Sequence, residues 1–162
     1  MKKLVVKTAC LSLAFLIGSM ICAFGLATIL APGKVGVLFD GVGEYSASVF
    51  FYEKQYQKTQ SVNDLYVLAS NLDVYSDSVR AEKYYGTLIS HNKFDDLCAR
   101  IDEQNFDEQN KGVGTKDFCY GSLCIAFAEN NKVSAAQSLV EMIEHDSWKN
   151  TIMEYLEQKT ID

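Results

Sequence analysis

The chain opens on a long uncharged apolar run and then changes to a pattern in which apolar and polar positions alternate with helical period. From Ala9 to Leu30 the sequence ACLSLAFLIGSMICAFGLATIL holds no charged residue. A helix of about 22 residues reaches roughly 33 Å, enough to cross the hydrocarbon core of a bilayer. Pro32 and Gly33 break this run, and Lys34 marks the expected membrane surface.

Beyond Lys34 the apolar positions recur at three- and four-residue intervals, the spacing of one helix face. Leu38 and Phe39 precede a turn at Gly43, and Tyr45, Val49, Tyr52 and Tyr56 then form a stripe that ends at Thr59, Gln60 and Ser61. Ser61 followed by Asp64 is a start signal for a helix carrying Leu65, Leu68, Ala69 and Leu72. Asp77 caps the next, with Ala81, Tyr84, Tyr85, Leu88 and Ile89 on its apolar face and His91, Asn92 and Lys93 at its end. Phe94, Leu97, Cys98 and Ile101 predict a further short helix, and the polar stretch from Asp102 to Lys116, with Gly112 and Gly114, reads as a loop. Cys119–Glu129 and Val133–Glu144 predict a hairpin through Asn130 and Asn131, closed by a terminal helix over Trp148–Gln158. The expected fold class is all-α.

Composition narrows this picture in two ways. A chain of 162 residues with 12 % aromatics and a single proline has the profile of one packed domain rather than of a disordered segment. Charge is unevenly placed: up to residue 34 there are Lys2, Lys3, Lys7 and Lys34 and no acid, which leaves 11 basic against 21 acidic residues beyond, a net −10. So acidic a domain lacks the basic patch that nucleic acid requires, and it is unsuited to lying on anionic lipid. With the lysines before the apolar run and the acids after it, the positive-inside rule leaves residues 1–8 in the cytoplasm, 9–30 as a signal anchor in the cell membrane and 31–162 as an extracytoplasmic domain. The competing expectation is a cleaved secretory signal, for which Gly25, Leu26 and Ala27 offer a small-x-small site. Against it, the run continues through Thr28, Ile29 and Leu30 and exceeds a usual signal core. Ala14, Gly18 and Cys22 fall at four-residue spacing, a face on which another membrane helix can approach closely.

The run from Gly43 to Lys54, GEYSASVFFYEK, resembles the second half of a tetratricopeptide repeat, in which Gly-x-Tyr-x-x-small-x-x-x-Tyr-Glu-Lys marks the turn and the second helix. Counting back along the roughly 34-residue period puts Gly36 and Phe39 at the family's first-helix glycine and tyrosine positions. A second copy fits, with one residue deleted, Tyr66 and Ala69, then Ala81, Tyr85 and Leu88; a third fits Tyr120, Leu123, Cys124 and Phe127, then Ala136, Val140 and Ile143. The family's proline at the repeat end is missing, and residues 94–116 lie outside the period. The resemblance implies a short solenoid of helical hairpins in which small residues let paired helices approach and first-helix residues line a partner-binding face. Carried over residue by residue, that face is Asp64, Val67, Asn71 and Val74 in the second copy and Phe118, Ile125 and Ala128 in the third.

Residues with chemical potential are few. Cys10 and Cys22 sit in the apolar run, where a thiol is a small apolar group. Cys119 and Cys124, five apart on one expected helix, point to different faces, and no Cys-x-x-Cys is present. Cys98 has a choice of partners in an oxidising compartment, and buried thiols are the commoner outcome. Glu141 and His145 share a helix face, but no further ligands complete a metal site, and an imidazole at a helix C-terminus is the plainer account. His91 with Asp95 and Asp96 reads as a helix end followed by an acid-rich first turn. Gly112-Val113-Gly114 lacks the rest of a phosphate loop, and no Ser, Cys or Lys stands in a nucleophile motif with a His. The tyrosines at helical spacing read as core rather than as a stacking surface. No catalytic residue, metal or cofactor is expected. The expected function is that of a membrane-anchored, non-catalytic scaffold for a protein or peptide partner. Alternatives are an accessory subunit that contacts a membrane complex through its apolar helix, and a secreted helical protein.

Overall fold

The computed structural model describes the backbone of residues 2–75, 77–104 and 112–161, and side chains within them over 16–103 and 112–160. All the described secondary structure is helical: α1 Lys2–Leu30, α2 Pro32–Gly41, α3 Tyr45–Thr59, α4 Val62–Val74, α5 Ser78–Ile89, α6 Phe94–Gln104, α7 Thr115–Glu129, α8 Val133–Val140 and α9 Asp146–Ile161. The chain forms two compact units, residues 1–55 and 56–162. That boundary falls inside α3, and α2 contacts α1 within the first unit.

In the first unit, Pro32 does more than break a helix. It stands at the first turn of α2, where its missing N–H is no loss, and the neighbouring Gly33 N–H donates to Gln55 Oε1 at 3.2 Å. Val35, Gly36, Val49 and Tyr52 are buried where α2 meets α3. The approach is close: a Cβ at Gly36 would lie 3.0 Å from Tyr52 Cε1 and 3.3 Å from the Ser48 carbonyl oxygen. Tyr45, expected on the buried stripe, is half exposed at the first position of α3. An aromatic ladder crosses the unit, from Phe24 to Phe39 (6.3 Å, edge-on), to Phe51 (5.5 Å, stacked) and to Phe50 (5.2 Å, edge-on). Among the described residues no single helix is long and apolar enough to cross a membrane; α1 from Leu16 to Leu30 and α2 meet that test only as a pair bent by 114°.

In the second unit the core is made of side chains at helical spacing. Leu65, Leu68, Ala69 and Leu72 of α4 face Ala81, Tyr84, Tyr85 and Leu88 of α5, all buried. Ser61 caps α4 by accepting from Asn63 N–H, and Asp77 caps α5 by accepting from Arg80 N–H, at the two expected starts. α5 packs on α7, α7 pairs with α8, and α9 lies against both. Cys124 Sγ donates to the Ala136 carbonyl at 3.5 Å where α7 crosses α8, and Trp148 Nε1 of α9 donates to the Asp117 carbonyl at 3.0 Å. Gly121 is required there, since a Cβ would lie 2.3 Å from Trp148 Nε1.

Several boundaries differ from the sequence reading. α6 continues to Gln104 and α7 starts at Thr115, where Asp102 Oδ1 accepts from both Thr115 N–H and its hydroxyl; the rest of the expected loop, 105–111, lies outside the described residues. α8 ends at Val140 rather than Glu144. His145 consequently precedes α9 instead of ending α8, and its Nδ1 accepts from Trp148 N–H at 3.3 Å, so it caps a helix start and gains nothing from a C-terminal dipole.

Candidate functional site

Within residues 56–162 the face expected to bind a partner divides. Asp64, Val67, Asn71 and Val74 lie on the side of α4 opposite its leucines. Val67 is 37 % and Val74 75 % exposed, while Asn71 Nδ2 donates to the Val67 carbonyl and Asp64 accepts from the Thr59 hydroxyl. α7 is flanked by α5, α6, α8 and α9, and Phe118, Ile125 and Glu129 keep one stripe of it partly open. Ala128, expected beside Phe118 and Ile125, is buried. α6 packs on both α4 and α7, with Phe94, Leu97 and Cys98 buried and the Phe94 ring edge-on to Tyr120 at 6.3 Å. α6 therefore covers part of both α4 and α7.

Beside the open stripe of α7 is a cleft of about 240 Å³, lined by Asp73, Ser78, Ala81, Ile125, Ala126 and Glu129. Asp73 is its chemical centre. The spacing Val62, Tyr66, Ala69, Asp73 puts this carboxylate on the inward side of α4, where Ser122 Oγ donates to its Oδ2 at 2.8 Å. Burial raises the Asp73 carboxyl above its ordinary value, and the Ser122 hydrogen bond opposes that shift only in part. The buried Tyr85 hydroxyl faces Ser122 without completing a hydrogen bond, and burial pushes its ionisation up. Asp73 is thus partly withdrawn from solvent, on the side of α4 away from Asp64. The pattern signal was present, an acid at a position of helical apolar spacing. At the cleft's other side Glu129 accepts from the Tyr155 hydroxyl and pairs with Lys159 at 3.1 Å, which hold its carboxyl below the usual value.

Asn130, read from sequence only as a turn residue, fastens the two hairpins. Its Nδ2 donates to the Ser78 carbonyl at 3.1 Å and to Glu82 Oε2 at 2.7 Å, and its Oδ1 accepts from the Ser78 hydroxyl at 3.1 Å. A second, wider groove of about 750 Å³ borders the start of α4, where Arg100 Nη2 donates to Asn63 Oδ1 at 2.9 Å.

The remaining sequence candidates take structural positions. Glu141 pairs with Lys149 at 2.7 Å, and His91 Nδ1 accepts from Lys93 N–H ahead of α6, whose first turn carries Asp95 and Asp96. Among the described residues no cluster of His, Cys, Asp and Glu has the make-up to hold a metal ion. Cys98, Cys119 and Cys124 are free and buried, and Cys22 is free and exposed. Burial raises all three buried thiols, Cys98 to about 11 and Cys124 to about 12, which keeps them protonated and poor nucleophiles at neutral pH. In α1 a Cβ at Gly18 would meet nothing within 4 Å, and the side chain of Ala14 lies outside the described residues. Comparison with protein-family models, with curated proteins and with solved structures finds no match to this chain.

Proposed function

We propose that the chain is a membrane-anchored helical scaffold that holds a protein or peptide partner and performs no chemistry of its own. The observation that carries this reading is the outward stripe of α4, where Val67 and Val74 stand exposed beside Asp64 and Asn71 on the helix that opens a stacked pair of hairpins. The stacking of α4–α5 on α7–α8 through α5 and α7, with α9 closing the end, is the arrangement a short tetratricopeptide-like solenoid would have. Ile125 and the Asp73 cleft extend the same proposal to a partner side chain that brings a hydrogen-bond donor next to an apolar group.

The anchor has two supports. The uncharged residues 9–30 fall inside one continuous helix, Lys2–Leu30. Its apolar side chains Leu16, Met20, Ile21, Ile29 and Leu30 stand more than half exposed, and its described hydroxyls bond within the helix, Ser19 Oγ donating to the Leu16 carbonyl and Thr28 Oγ1 to the Gly25 carbonyl, both compatible with a hydrocarbon surround. We accordingly assign the second unit to the extracytoplasmic side of the cell membrane.

A photo-crosslinking residue placed at Val74 or Ile125 in the full chain, in intact cells, is expected to capture a discrete protein adduct. Adducts formed only from Gly18 would replace the scaffold reading with that of an accessory subunit contacted through α1. Release of the chain by alkaline carbonate would replace the anchor with a cleaved leader.

A further inference from the structure

The first unit carries an apolar surface that α1 alone does not account for. One face of α2, formed by Pro32, Val35, Gly36 and Phe39, is turned inward; the opposite face presents Val37 at 59 % and Leu38 at 66 % exposure, and Val42 follows at 72 %. A helix of this length on a water-facing surface puts charge at such positions; Asp40 is half-buried and Glu44 follows only in the turn, so on the exposed face of α2 itself the one charge is Lys34. Its flexible apolar stem lets the ammonium reach water from a lipid boundary.

The direction of α2 supplies the second observation. A bend of 114° from α1 turns α2 across and partly back toward the helix it follows rather than away from its end. Phe39 accordingly meets Phe24, which lies six residues before Leu30, or about 9 Å down the helix at 1.5 Å per residue. Phe51 of α3 stacks on Phe39, so the start of α3 is held at the same level. An uncharged span of roughly 33 Å centred on a hydrocarbon layer of about 30 Å leaves Phe24 several ångströms inside that layer. Phe39, edge-on to Phe24 at 6.3 Å, lies close to that depth.

We infer that α2 and the turn into α3 form an interfacial foot, embedded at the lipid headgroup and upper acyl level beside the end of α1, with bilayer lipid covering Val37, Leu38 and Val42. The aromatic residues nearby suit that level: Tyr45 is half exposed, and Phe50 is half exposed with Lys54 Nζ 5.5 Å from its ring centre. The foot adds apolar contact to the anchor and sets a fixed depth for the first unit, which a lone crossing helix leaves free to slide and tilt. The inference rests on the membrane-anchor reading.

The test uses the full chain in phosphatidylcholine vesicles, with and without brominated acyl chains, carrying Leu38→Trp or Val42→Trp; both positions are exposed, so neither ring disturbs the packed core. After subtraction of the wild-type Trp148 signal, the added indole is expected to emit to the blue of its position in water and to lose about half or more of its intensity in brominated vesicles, as a ring at the interface does. Co-flotation with the vesicles combined with an unshifted, unquenched indole at both positions would overturn the foot and leave the anchor standing. The same result with copies crosslinking through these residues would assign the surface to self-association instead. Failure to co-float at all would overturn the anchor and the foot together.

Discussion

Residues 1–55 and 56–162 use the same helical spacing of apolar side chains to opposite ends. In the second unit Leu65, Leu68 and Leu72 are fully buried while the far side of α4 carries Asn63, Asp64 and Asn71. In the first, Leu16, Met20, Ile21, Ile29 and Leu30 of α1 and Val37 and Leu38 of α2 are more than half exposed. The difference lies in the positions between the apolar residues. Where they are charged, burial of one face satisfies the helix; where they are apolar or small, no single neighbour covers the surface, and the membrane anchor we propose is our account of what does.

The contrast is broken most severely from inside the second unit. Truncating Tyr85 or Leu68 to alanine is expected to cost about 3–5 kcal/mol, whereas Leu38→Ala should change the same unfolding transition by less than about 0.5 kcal/mol. Denaturant unfolding of the full chain in detergent, followed by the fluorescence of its one tryptophan, Trp148, reads both. A Leu38→Ala loss as large as that of Leu68→Ala would end the distinction between the units. Next comes Gly121→Ala, whose new methyl group collides with the Trp148 ring; we expect about 1–3 kcal/mol and a red-shifted Trp148 emission in the folded state. Asn130→Ala removes the fastening between α5 and the α7–α8 turn and is expected to cost about 1–2 kcal/mol in the same assay.

A smaller effect concerns pH. Because burial raises the Asp73 carboxyl in the folded chain, its contribution to stability is complete below the unfolded-state value and is lost as pH rises through the folded-state value. Asp73→Asn keeps an oxygen to accept from Ser122 and does not ionise. It should therefore flatten the decline in stability above the ordinary carboxylate range and leave the protein no less stable at pH 7. Urea titrations at several pH values decide this, and an unchanged slope would remove Asp73 from its assigned position. Least of all, Tyr85→Phe should stay within about 1 kcal/mol of wild type, since the hydroxyl it deletes has no hydrogen-bond partner to lose.

Much of the helical order was legible because its signals are local. Ser61 and Asp77 cap helices where the spacing starts them, and Leu65 to Leu72 and Ala81 to Leu88 face inward as their period requires. The helix ends near 140 and 145 were misread because Glu141 and His145 continue the spacing of α8, while the chain turns there to let Asp117 accept from the backbone N–H groups of Glu144 and His145. Asp73 and Asn130 escaped for a related reason. What each does depends on Ser122, Ser78 and Glu82, about 50 residues away along the chain, and no local rule joins them.

The amino-acid sequence by itself determined the all-helical class, the caps, the division between an acid-free N-terminal stretch and an acidic remainder, and the burial of the apolar stripes of α4 and α5, because each follows from neighbours within a few turns of one helix. Only the tertiary structure decided that α2 folds back on α1, that α6 covers part of the face shared by α4 and α7, and that one carboxylate is drawn inward against a serine. Those outcomes depend on which helix faces meet, and that is fixed by shape and close approach at glycines and other small residues rather than by the period along any single segment.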